Sequence, residues 1–223
     1  MAGEKEALFS QKNRRLLIDP LDDDNPITVQ VLGICSALAI TVQLKAAFVM
    51  SLAVMFVLVF GNLAVSLLRN LIPNRIRIIV QLLIVAFLVI LVDQVLKAYS
   101  YDVSKQLSVF VGLIITNCII MGRFEAFALG NGPWKSILDG IGNTVGYAVI
   151  LIVVSFFREL FGSGKLMGYE VLGHKGKTIA DSTGLYHYGY ENNNFMMLAP
   201  MALITVGILI WFQRSKNRKL IEE

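Results

Sequence analysis

Between residues 46 and 68 the chain runs for 23 residues without a charged side chain. A helix of that length, at ~1.5 Å per residue, crosses a hydrocarbon core of ~30 Å. Lipid leaves only helices and closed barrels able to satisfy their own backbone, and an unbroken apolar run without alternation selects the helix. Further apolar runs cover about 76–98, 141–160 and 195–212, and two shorter ones cover 27–44 and 107–122. The predicted fold is therefore an all-α integral membrane protein with six transmembrane helices.

Composition agrees, with 56% hydrophobic residues, 16% charged residues and a mean hydropathy of +0.66. The net charge of +4 does not point to nucleic acid, because the basic residues sit in tails and short connections between apolar runs. Residues 1–26 mix both charges around no apolar stretch, so no secretory signal is apparent. The expected organisation is a polar head over 1–26, a membrane domain over 27–212 and a basic tail over 213–223. Six spans put both tails on one side. Lysine and arginine number 13 on that side against 7 on the other, so both termini are expected in the cytoplasm.

The membrane domain divides into halves, 27–106 and 107–212. Each begins with a short span carrying a single cysteine, Cys35 or Cys118, the only two in the chain. In the first half the next span ends Ser66-Leu67-Leu68-Arg69-Asn70-Leu71. Its counterpart ends Ser155-Phe156-Phe157-Arg158-Glu159-Leu160. Three spans per half is an odd number, so the second half runs through the membrane inverted. The result is a 3+3 inverted-topology repeat with a broken or short first helix in each half. Asn25 and Pro26 supply a helix start before the first short span, and Gly33, Gln30 and Gln43 interrupt it. Gly130-Asn131-Gly132-Pro133 is a breaker before the fifth span.

Two equivalent segments entering from opposite faces let Cys35 and Cys118 meet near the midplane. A single thiol in an apolar helix is ordinarily a small buried hydrophobe. A matched pair of thiols in a dry site suits a soft metal, above all an iron–sulfur cluster. A [2Fe–2S] cluster takes four thiolates, so a partner, or a second copy, must bring the other two. Gly33, Ser36, Ala37, Thr116 and Asn117 suit either close packing around such a centre or ordinary small-residue helix contact.

Several blocks carry a family resemblance. They are Gly33-Ile34-Cys35-Ser36-Ala37-Leu38-Ala39-Ile40-Thr41, Arg77-Ile78-Ile79-Val80-Gln81, Val92-Asp93-Gln94, Ser104 to Phe110, and Thr116-Asn117-Cys118-Ile119-Ile120-Met121-Gly122-Arg123. They resemble the D-subunit family of the Na⁺-translocating NADH:quinone oxidoreductase, which is related to the Rnf complex membrane subunits. Ser36, where the Rnf pattern has proline, sides with the Na⁺-pumping quinone reductase. The resemblance implies an electron-transfer subunit of the bacterial inner membrane. It implies that Cys35 and Cys118 share a [2Fe–2S] cluster with two cysteines of the homologous E-type membrane protein of the same complex. It further implies assembly with the A, B, C and F components, which would hold the sites for NADH, FAD, FMN, riboflavin and ubiquinone. The chain itself shows no Walker loop, dinucleotide fingerprint or histidine pair.

Acids at membrane depth are functional candidates by default. Asp93 and Asp139 are the candidates for a Na⁺ pathway. Against this, Asp93 has Lys97 at i,i+4 as an ion-pair partner, and Asp139 stands where a helix N-terminal acid would. Glu125 beside Arg123 and Glu159 beside Arg158 read as interfacial charge, and His174 and His187 as solvent-facing residues of a long polar loop. A second functional class stays open: a secondary transporter or channel built on an inverted repeat, with purely structural cysteines.

Overall fold

The computed structural model describes residues 16–21, 24–73, 75–99, 112–167, 169–170 and 194–216. Six helices organise them: α1 (Ile34–Ile40), α2 (Leu44–Leu68), α3 (Arg77–Tyr99), α4 (Cys118–Arg123), α5 (Pro133–Ser163) and α6 (Ala199–Lys216). A short antiparallel pair, β1 (Lys165–Leu166) and β2 (Tyr169–Glu170), follows α5, with Lys165 opposite Glu170 and Leu166 opposite Tyr169. The head before residue 16, the connection 100–111, the loop 171–193 with His174 and His187, and the tail after 216 lie outside the described residues.

Three helices, α2, α3 and α5, are long and apolar enough to cross a membrane. The apolar window of α3 is only 17% buried within the chain, against 50% for α2 and for α5. Both cysteine segments form only short helices: α1 has 7 residues and α4 has 6. A helical turn over 112–115 stops before α4, and α4 runs on into a π-helical stretch, Phe124–Ala128.

The expected run 27–44 is not one helix. Asn25 does cap a turn, its side-chain oxygen accepting from the N–H groups of Ile27 at 3.0 Å and Thr28 at 3.4 Å. After that turn the backbone enters the left-handed region twice, at Val31 (φ 59°) and Gly33 (φ 81°). Glycine adopts this conformation freely, but for a β-branched valine it costs ~1–3 kcal/mol. The helix resumes as α1, stops at Ile40 and restarts as α2 at Leu44.

The fifth span begins earlier than its apolar residues suggest. Pro133 occupies the first position of α5, where its missing N–H costs nothing. Asp139 is thus inside the helix, not at its start.

The chain forms two compact units. One comprises Met1–Gly33 and Leu52–Tyr147, the other Ile34–Ser51 and Ala148–Glu223. The first has a core of Val54, Val57, Leu58, Val85, Ile119, Ile120, Phe124 and Tyr147. Here Gly142 and Gly146 leave one face of α5 open to backbone: a Cβ on Gly142 would collide with the Leu16 carbonyl, and one on Gly146 with the Pro20 carbonyl. Asn25 fastens the same segment, donating to the Gly146 carbonyl at 3.2 Å. The second unit packs α1 against α6, with Ala37, Ile40, Ala47, Met50, Leu151, Val154, Ala202 and Val206 buried.

Candidate functional site

Cys35 is the second residue of α1 and Cys118 the first of α4. Both thiols are free and exposed. On α1 the buried positions are Ser36, Ala37 and Ile40, and on α4 they are Ile119 and Ile120. Each cysteine therefore lies off the packed side of its helix. An apolar helix normally tucks a small thiol inward. Thiolates are soft donors, and two alone fall short of the four that a [2Fe–2S] cluster takes. Among the described residues no three His, Cys, Asp or Glu side chains come together as a metal site.

The approach to Cys35 is built against the approach to Cys118. A Cβ on Gly33 would lie 3.6 Å from Asn117 Oδ1 and 3.0 Å from the Tyr147 ring. Gly122 of α4 faces Leu32, whose Cδ1 would lie 3.1 Å from a Cβ there. Asn117 itself caps α4, its Oδ1 accepting from Ile119 N–H at 3.4 Å. The residues leading into both cysteines are thus held by the same few contacts.

A polar cluster lies within the first unit. Asp139 is 1% exposed and is bound by Arg123, whose Nε donates to Oδ2 at 3.0 Å and whose Nη2 pairs with Oδ1. Asn143, one turn on, donates to Asp139 Oδ1 at 3.1 Å. Asn62 of α2 donates to the Ser136 carbonyl at 3.0 Å and lies against Gly140. The amide oxygens of Asn62 and Asn143 are buried without a hydrogen-bond partner among the described residues. Asp139 is therefore the acid of a buried ion pair bound by Arg123 and Asn143, not a helix N-terminal acid. Asp93 does pair with Lys97, at 2.5 Å and i,i+4 spacing. Glu125 pairs with Arg77 and accepts from Gln81 at 3.4 Å.

Arg158 and Glu159 are not interfacial charge: they are 1% and 8% exposed. Neither pairs with the other. Arg158 Nη1 donates to Thr41 Oγ1 at 2.5 Å and to the Leu38 carbonyl at 3.4 Å. Its Nε and Nη2 donate to the carbonyls of Met196, Met197 and Leu198 at 3.1, 2.8 and 3.2 Å. Glu159 accepts from Leu44 N–H at 2.5 Å and from Met167 N–H at 3.0 Å. The cation thus grips the carbonyl end of α1 and the anion the amide end of α2, as the helix dipoles favour. The motif match that aligns Arg69 with Arg158 hides this difference, since Arg69 is exposed.

The chain is 57% identical over 202 residues to a protein of Photobacterium profundum named as the D component of the Na(+)-translocating NADH-quinone reductase, covering 91% of this chain and 92% of that one. It is 53% identical over 210 residues to the protein of the same name from Haemophilus ducreyi, covering 94% of this chain and 97% of the relative. The model of a family described as Rnf-Nqr subunit, membrane protein, matches residues 13–210. With two short cysteine helices, three membrane-length helices and these relatives, the chain belongs to the Rnf-Nqr family of membrane subunits.

Proposed function

We propose that this chain is an electron-transfer subunit of a Na⁺-pumping NADH:quinone reductase. In this reading Cys35 and Cys118 provide two of four ligands to an intramembrane [2Fe–2S] cluster, and a homologous membrane protein provides the rest. When bound, the cluster supplies a one-electron relay within the membrane. The observation that carries the proposal is the packing of Gly33 on Asn117. Cys35 follows one partner of that contact by two residues, and Cys118 follows the other by one. The outward setting of both thiols leaves them free to take ligands in common with another chain.

The remaining parts of the reading are architectural and ionic. The six spans form a 3+3 inverted repeat in the bacterial inner membrane with both termini cytoplasmic. Asp139, with the free amide oxygens of Asn62 and Asn143, lies on the Na⁺ path, since hard cations prefer oxygen donors. Asp93, paired with Lys97, stands at its entry. The A, B, C, E and F components complete the complex and hold the nicotinamide, flavin and quinone sites.

The test is Cys35→Ser and Cys118→Ser in the whole complex. Each variant should lose quinone reduction while NADH oxidation by an artificial acceptor survives. Full quinone reductase activity in Cys35→Ser would end the electron-carrier reading and favour a transporter with structural cysteines.

A further inference from the structure

Arg158 stands out among the buried side chains of the second unit. It is among the largest that are fully buried, and its five hydrogen bonds all go to neutral acceptors, four carbonyls and one hydroxyl. Among the described residues no carboxylate pairs with it. Its neighbour Glu159 is turned to the N–H groups of Leu44 and Met167. A buried guanidinium without a counter-anion is costly, since desolvation is offset only by neutral dipoles. Such a charge acquires a balancing partner if an anionic centre binds nearby.

The guanidinium reaches that neighbourhood through α1. Leu38 and Thr41 follow Cys35 by three and six residues. Six residues at ~1.5 Å each put Thr41, which Arg158 grips, roughly 9 Å from Cys35 along the helix axis. We infer that Arg158 is the positioning and potential-setting residue for the centre bound at Cys35. Its hydrogen bonds to Leu38 and Thr41 hold the α1 end, and its positive charge offsets the negative charge of thiolate ligands. The inference rests on the reading of Cys35 as a cluster ligand.

The sign follows from electrostatics. Reduction adds one negative charge to the centre, and a nearby cation favours the reduced form. At roughly 10 Å and an effective dielectric of about 20, one unit charge shifts a one-electron equilibrium on the order of tenfold. Tenfold corresponds to ~59 mV for a single electron. Removing the charge lowers the midpoint, and keeping it on a different scaffold does not.

Redox-titrated electron paramagnetic resonance of the purified complex separates these effects. Arg158→Gln should lower the midpoint of one [2Fe–2S] signal on the order of tenfold in its equilibrium constant, ~59 mV. Arg158→Lys, which keeps the charge and loses the fork of donors, should stay within about threefold of the wild type, far nearer than Arg158→Gln. Thr41→Asp places a carboxylate against the unchanged arginine and should lower the midpoint as Arg158→Gln does, providing the same test if Arg158→Gln does not assemble. A wild-type midpoint in assembled Arg158→Gln or Thr41→Asp, or equal shifts in Arg158→Lys and Arg158→Gln, overturns the inference. A signal that survives Cys35→Ser overturns the ligand reading beneath it, and so distinguishes the two failures.

Discussion

Cysteine in an apolar helix ordinarily turns inward as a small hydrophobe, yet here both thiols sit off the packed face. Without the cluster, replacing either by serine should therefore change thermal stability by no more than ~0.5 kcal/mol, as for exposed positions elsewhere. A loss of several kcal/mol in detergent melting of the cluster-free chain would show that the thiols pack. Asp139 calls for the opposite expectation. Asp139→Asn leaves Arg123 buried without its anion and should cost ~3–5 kcal/mol. The double variant Asp139→Asn, Arg123→Gln should recover much of that loss in a melting experiment. If Asp139 lies on the ion path, the double variant still fails to restore the Na⁺ dependence of turnover. The two cysteines were legible as candidates because the chain has no other thiol. Arg158 and Glu159 were not, because an adjacent cation and anion at the end of an apolar run look like an interfacial pair. Only the fold shows that the two charges serve different helix ends.

At the scale of elements, the break between α1 and α2 is held from α5. Glu159→Ala removes the acceptor for the Leu44 N–H and should destabilise by ~1–2 kcal/mol, the usual worth of a helix cap. Glu159→Gln keeps an acceptor and should cost less, which thermal melts of the assembled complex can rank. On another face of α5, Gly142 and Gly146 admit backbone where a Cβ would not fit. Gly146→Ala should lose ~1–3 kcal/mol through overpacking, and limited proteolysis should then cut the segment before Asn25 faster. The long spans were readable from apolar length alone. The start of α5 was not, because Gly130, Gly132, Gly140 and Gly142 form a glycine-rich stretch in which Pro133 marks the helix start. Helix propensity at Gly140 and Gly142 yields to close packing. The break in the first cysteine span was anticipated from Gly33 and the glutamines, although the turn at Val31 carries no sequence signal, since valine disfavours it.

For the whole molecule, α3 shows how much of the structure is completed by its surroundings. Most of its apolar window is unburied within the chain, the state expected of a subunit that meets lipid and neighbours. The excess of lysine and arginine on one side predicts that reporters fused at either terminus respond as cytoplasmic. A reporter at one end read out on the opposite face would break the six-span topology. The proposed repeat rests on two cysteine spans and a weak closing motif, and the motif's arginines have unlike surroundings, one exposed and one buried. Pattern matching compares positions, whereas the fold assigns each charge to whatever backbone it can satisfy. The measurement that bears most directly on the whole account is iron and acid-labile sulfide per complex, with the electron paramagnetic resonance spectrum, in Cys35→Ser and Cys118→Ser separately. The account predicts that each substitution removes the same [2Fe–2S] signal and the same two irons. Full iron and an unchanged spectrum in either variant would contradict it.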